Sequence, residues 1–237
     1  FEALLDPVAD MHFPLLAVAR DLWSGFAASL PRGEDLIDRA GALYVAPADA
    51  DLQRRADRMA AFDPNSEILT PAQARVLSPE LHCTRPALFS ALDWRLEPKP
   101  VLCALHDAFR AEGGYTAPQA VVGWSTGCAK MRTGEFVRAD VLVLATGASG
   151  FAVNEIAELD LLTPIKGQIL WFHGSGPFAG PAVRAPGVYV APSRGGALAG
   201  ASMQEGRNDR EIEPDIIDNL RARAGALFPG LAQAELT

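Results

Sequence analysis

Cysteine is scarce: Cys83, Cys103 and Cys128 are the three in a chain of 237 residues. So sparse and odd a set excludes a disulfide framework and points to a reducing compartment, so a cytoplasmic protein is expected. Positive charge is also short. Lys and Arg number 21 against 29 Asp and Glu, a formal net charge of −8, and a field of that sign repels nucleic acid and anionic membranes before contact. No apolar stretch reaches the roughly 20 residues of a bilayer-spanning helix, and the first residues do not read as a signal peptide. His12, His82, His106 and His173 are scattered without ligand spacing, so no metal site is expected. No Ser/His/Asp or Cys/His set has supporting context.

What is present reads as a globular chain, 49% hydrophobic and 21% charged, large enough to bury a core in one large domain or two small ones. Its most informative stretch runs from Val141 to Gly150, VLVLATGASG. A short apolar run ending in small residues predicts a strand buried on both faces, as in a parallel sheet. The carboxyl end of such a strand is where open α/β sheets bind ligands. Phe1 opens the chain and Thr237 closes it soon after a Pro-Gly turn, so an excised piece is expected.

Periodicity predicts a helix from Met11 to Leu30, with Leu15, Leu16, Val18, Ala19, Leu22, Phe26 and Leu30 as its apolar set. A strand follows at Ala42 to Ala46, then a charged surface helix from Pro47 to Ala61. Thr70 as N-cap and Pro71 at the first position start another helix, and Pro98 or Pro100 a further one through Ala111. In that last helix Val101, Leu102, Leu105 and Phe109 form the expected buried stripe. Strands are predicted at Ala120–Val122, Ala129–Met131, Phe136–Ala145, Leu162–Phe172, Gly187–Pro192 and Ala197–Ala201, with Arg194-Gly195-Gly196 as a hairpin turn. Asp215 to Phe228 closes the pattern as a helix whose face is Ile216, Ile217, Leu220, Ala224 and Leu227.

Several segments stand in a telling order: Ala145-Thr146-Gly147, Leu162 to Leu170 (LTPIKGQIL), Gly187 to Pro192 (GVYVAP) followed by Gly195-Gly196 and Gly200-Ala201-Ser202-Met203, and Phe228-Pro229-Gly230-Leu231. Together they resemble the FAD-dependent D-amino-acid oxidase superfamily, and the glycine oxidase branch is most similar. Asp93 to Pro98 (DWRLEP) is similar to the family's segment leading into the helix before its adenine-contacting strand.

The resemblance implies a mixed α/β (α+β) fold. A partial FAD-binding, Rossmann-like domain at 1–40 and 98–160 would interleave with an antiparallel, β-rich substrate domain at 41–97 and 161–237. The family begins with a Gly-x-Gly-x-x-Gly turn that holds the FAD pyrophosphate at a helix N-terminus. The 237 residues contain no such turn. The family's Gly-Leu-Arg-Pro segment, whose Arg grips the substrate carboxylate, is also absent, so missing portions are expected on both sides.

Residue by residue, the resemblance makes Tyr189 the strand tyrosine facing the substrate and Met203 a residue lining that pocket. Val121 would contact the adenine, and Ala145, Thr146 and Gly147 would form the FAD-facing strand end. Read without the family, Tyr189 is a half-buried strand tyrosine, Met203 a core methionine and Val121 a β-core valine. Ala148 leads into Ser149 and Gly150 where many relatives carry an aromatic. The implied activity is oxidation of the amine of glycine or another small amino acid to an imine, by hydride transfer to flavin, with no obligatory acid or base. Expected partners are a small amino acid or amine and FAD, with neither nucleic acid nor membrane, and with homo-oligomerisation as an option. The rival reading is a cofactor-free scaffold or interaction domain on the same fold.

Overall fold

The computed structural model describes residues 13–147, 161–174 and 179–236. Along the chain come α1 (Phe13–Ala28), β1 (Ile37–Asp38), β2 (Ala42–Val45), α2 (Asp49–Met59), β3 (Glu67–Leu69) and α3 (Pro71–Leu77). Then follow β4 (Ala87–Ser90), β5 (Arg95–Leu96), α4 (Pro98–Ala111), β6 (Val121–Ser125), β7 (Cys128–Met131) and β8 (Phe136–Arg138). The rest comprises β9 (Ile165–Lys166), β10 (Ile169–His173), β11 (Ala182–Ala185), β12 (Val188–Ser193), β13 (Gly196–Gly200), β14 (Gln204–Glu205) and α5 (Pro214–Leu227). The chain forms two compact units, one of Phe1–Gly113, Gln168–Ser202 and Ile212–Thr237, the other of Gly114–Gly167 and Met203–Glu211. These units follow contacts, and their boundaries differ from the sequence-based division by role.

The first unit is built on a seven-stranded sheet ordered β10-β13-β12-β11-β2-β4-β3. Its pairs are antiparallel except β11 with β2. β12 and β13 turn through Arg194-Gly195, with Ser193 paired to Gly196. Gly195 has φ 85°, a conformation that side chains with a Cβ rarely adopt. Alternation along the strands sends Leu43, Val183, Val190, Phe172 and Ala199 to one face, where all are essentially fully buried. On that face α5 lays down Leu220, Ala224 and Leu227, as its periodicity predicts, and Leu231 closes the cluster. Burying each large aliphatic or aromatic side chain there contributes about 1.5–3 kcal/mol.

Local signals start α3 and α4 where the sequence places them, whereas α2 begins at Asp49, two residues after the expected Pro47, and the expected start of α1 at Met11 lies outside the described residues. The Thr70 hydroxyl accepts from the Gln73 backbone N–H while the Gln73 side chain accepts from the Thr70 backbone N–H, a capping box with Pro71 in the first turn of α3. Asp49 and Asp51 open α2 and Arg58 lies in its last turn, matching the helix dipole. Leu52 and Met59 bury against Leu88.

Several expectations are corrected. The run from Val141 to Ala145 is not a strand: β8 ends at Arg138, and Val141 and Val143 are 77% and 81% exposed. An apolar run becomes a buried strand only where neighbours supply ladder partners and cover both faces, and no described strand pairs with it. Ser149 and Gly150 lie outside the described residues. The predicted strand from Leu162 to Phe172 is two, β9 and β10, broken at Gly167-Gln168. In α4 the buried seam is Val101, Ala104, Leu105 and Ala108, while Leu102 and Phe109 are exposed. Those four are spaced i, i+3, i+4 and i+7, and their alanines admit close approach. In α1 Ala27 is buried and Trp23 packs with Leu30, whereas Leu15, Val18, Leu22 and Phe26 are exposed.

The second unit contains the antiparallel meander β6-β7-β8, with Ala129 and Met131 buried, and the short pair β9-β14. Asp209 accepts from Lys166 Nζ at 2.5 Å and from Arg207 Nε at 2.7 Å. These two cations hold its carboxyl well below the usual carboxylate range, Arg207 having the larger effect.

Candidate functional site

β12 carries Tyr189 because the strand alternates Val188 and Val190 into the core and Tyr189 to the opposite face. Small residues, Ala42, Ala182 and Ala191, pack around the half-buried tyrosine there. Strand register sets a row on this face: Tyr44, Arg184, Tyr189, Gly200 and Ile169, from β2, β11, β12, β13 and β10. Cross-strand partners stand roughly 4.5–5.5 Å apart at Cβ, so neighbours in the row touch or exclude one another. The Tyr189 ring lies across Gly200: a Cβ at position 200 would stand 2.8 Å from the phenol oxygen.

Two carboxylates fasten the segment from Asp93 to Glu97 onto this sheet. Arg184 donates to Asp93 through Nε at 3.0 Å and through an amino nitrogen at 3.3 Å, a two-point contact with Asp93 almost fully buried. Glu97 accepts from the Ser193 hydroxyl at 3.2 Å and from the Arg194 backbone N–H at 3.0 Å, tying the start of α4 to the β12–β13 turn. Beside this tie lies a cavity of about 450 Å³ whose wall includes Asp35, Asp38, Arg95, Glu97, Ser193 and Arg194, but not Tyr189. Two strands from Tyr189, on β10, Trp171 stacks on His173 at 4.8 Å.

The sequence-derived site residues fall in both units. Tyr189 belongs to the first, whereas Met203, Val121, Ala145, Thr146 and Gly147 belong to the second. Met203 lies three residues beyond the end of β13 and is 74% exposed. Val121 is half-buried in β6, in register with Met131. At the end of the apolar run, the Thr146 hydroxyl oxygen is shut from solvent with no hydrogen-bond partner among the described residues. Gly147 beside it has φ 52° and open space where a Cβ would be. A buried hydroxyl without a partner and a bare backbone position together fit a polar ligand drawn close to the chain.

Sequence reasoning missed Asp93, Glu97, Arg184 and Gly200. Asp93 and Glu97 stand within the segment singled out before α4, yet their partners are 91 and about 97 residues away in sequence. No local pattern signals such pairs. Likewise Asp63, 1% exposed, accepts from the Ser90 hydroxyl at 2.7 Å across 27 residues.

The FAD dependent oxidoreductase family matches residues 4–237. Glycine oxidase of Pseudomonas aeruginosa is 30% identical over 133 residues, 55% of this chain and 35% of the relative. Glycine oxidase of Geobacillus kaustophilus is 28% identical over 176 residues, 70% of this chain and 47% of the relative. The crystal structure of glycine oxidase from Geobacillus kaustophilus superposes with a TM-score of 0.74 at 24% identity, covering 98% of this chain and 64% of that one. The chain thus spans 35–47% of the length of these curated relatives. FAD is the cofactor of this family. With residues 4–237 matched by that family, the chain belongs to the FAD dependent oxidoreductase family.

Proposed function

We propose that the protein oxidises the amine of glycine or another small amino acid, in the manner its glycine oxidase relatives' names describe. The observation that carries this reading is the placement of Tyr189: a half-buried phenol on the sheet face opposite the main core, among alanines, with its ring laid over a glycine. Alanines on one side and Arg184, next in the row, on the other give the phenol a surround in which it can donate to a carboxylate. Tyr189 holds and orients the substrate carboxylate.

Residues 1–40 and 98–160 form the FAD-binding part and residues 41–97 and 161–237 the substrate part. Val121 meets the adenine, and Ala145, Thr146 and Gly147 give FAD a hydroxyl partner and a close backbone approach. FAD, when bound, supplies the acceptor for the two electrons lost as the substrate C–N bond becomes double. This chain's residues bind and orient; the reading needs no side-chain acid or base if the amine binds neutral.

The test is carried out on a protein of the relatives' full length containing this chain. It should purify yellow and turn over glycine or another small primary amine, with imine hydrolysis releasing ammonia. A full-length protein without flavin would overturn the reading and favour the scaffold alternative, and a yellow protein inert to all small amino acids would overturn the substrate class.

A further inference from the structure

Gly200 lies inside β13, where glycine weakens a strand by offering no side chain to pack and by its larger loss of backbone freedom. It is not among the described glycines with positive φ. What a side chain there would meet is a neighbouring ring. The three heavy atoms nearest to an added Cβ all belong to Tyr189: the hydroxyl oxygen at 2.8 Å, Cζ at 3.0 Å and Cε1 at 3.1 Å. The nearest obstacle to a side chain there is thus that one ring. The bare position is therefore matched to one ring, and in the row across the sheet it separates Tyr189 from Ile169.

We propose that Gly200 is a positioning residue, whose missing side chain lets the Tyr189 ring lie flat on β13 and so fixes where the phenol meets the substrate carboxylate. The inference rests on the reading of Tyr189 as the substrate-facing phenol and adds the residue that sets its geometry. With Arg184 on the β11 side of Tyr189, itself held by Asp93, and Gly200 on the β13 side, the ring leans toward β13. The atoms nearest to a methyl group at 200 are the far end of the tyrosine, so it is the ring that must lift off the strand. The lifted phenol loses its hydrogen-bond geometry and enters the volume above the sheet. Gly200 thereby keeps space over β13 for a small substrate.

The experiment uses the FAD-loaded, full-length protein and three variants: Gly200→Ala, Tyr189→Phe and the pair. Three quantities are read: KM and kcat for glycine, and the dissociation constant of acetate, a carboxylate probe, from its perturbation of the flavin absorbance. Gly200→Ala should raise KM and weaken acetate by roughly three- to tenfold, the value of one misplaced hydrogen bond, with kcat and FAD content nearly unchanged. In the pair the two losses should not multiply, because both act through the same phenol. Losses that multiply in full, or a Gly200→Ala protein with unaltered KM and acetate binding while Tyr189→Phe weakens both, overturn the role of Gly200 alone. No effect of Tyr189→Phe overturns the substrate reading of Tyr189 and this inference with it. Should Gly200→Ala fail to fold, Gly200→Ala with Tyr189→Leu decides: recovery of folded, yellow protein supports the ring as the cause, and failure to recover excludes it.

Discussion

At the scale of single residues, the numbers are those of individual hydrogen bonds. Tyr189→Phe in the full-length enzyme should cost substrate binding about 0.5–1.5 kcal/mol while leaving flavin content intact. Steady-state kinetics with small amino acids measure it, and an unchanged KM and kcat would sink the role. Asp63 is a separate case, a buried carboxylate whose oxygens accept from the Ser90 hydroxyl and the Asn65 backbone N–H. Asp63→Ala leaves the buried Ser90 hydroxyl without its acceptor and should lower stability by about 1–3 kcal/mol, read from the denaturant midpoint. Asp63→Asn keeps an acceptor and should lose less. Equal losses would mean that packing rather than hydrogen bonding sets the cost. The two residues differ in legibility: Tyr189 stands out in its GVYVAP segment, whereas nothing near Asp63 announces Ser90.

At the scale of elements, α3 and the β9–β14 pair each have a testable support. Thr70→Ala removes the N-cap and half of the capping box, and should cost about 0.5–2 kcal/mol. Gln73→Ala should cost less, because the Thr70 cap survives. The reverse order in thermal denaturation would reject that division. Asp209 joins β9 to the loop after β14 through Lys166 and Arg207, and its carboxyl is held low by both cations. A depressed folded-state value means the contribution is complete above the unfolded carboxylate pKa and fades as pH falls below about 4. Asp209→Asn should therefore melt lower than the parent near neutral pH, with the difference narrowing in acid. A gap that holds constant down to the acid limit would show that charge is not the source. Caps, turn glycines and the α5 stripe were readable because each is decided within a few residues. The α4 stripe was not: Leu102 and Phe109 fit a helical period as well as Ala104 and Ala108 do, and only the position of neighbouring elements chose the seam.

For the whole molecule, the question is what 237 residues hold by themselves. The sequence has no Gly-x-Gly-x-x-Gly turn, the motif that places backbone N–H groups on a dinucleotide pyrophosphate. What remains for FAD, on the proposed reading, is Val121 with Ala145, Thr146 and Gly147. The chain alone should purify with little or no flavin, whereas a protein of the relatives' full length that contains it should be yellow. Stoichiometric FAD on the chain alone would show that these few contacts suffice. The exposed Val141 and Val143 add a second expectation, self-association of the isolated chain, visible as a concentration-dependent mass in light scattering. A mass that stays monomeric across concentration would exclude it.

The sequence by itself determined the family, through the order and spacing of its segments, and most helices and hairpins, through period, caps and turn residues. Those features are local, or linear along the chain, and need no partner to be read. Only the tertiary structure decided which strands the sheet brings side by side, and with them the row from Tyr44 to Ile169. It also decided the Asp93–Arg184 tie and the fit of the Tyr189 ring over Gly200. The same dependence explains the misread apolar run. VLVLA has the composition of a buried strand, but a strand is a relation between segments, fixed by ladder partners that lie elsewhere in sequence.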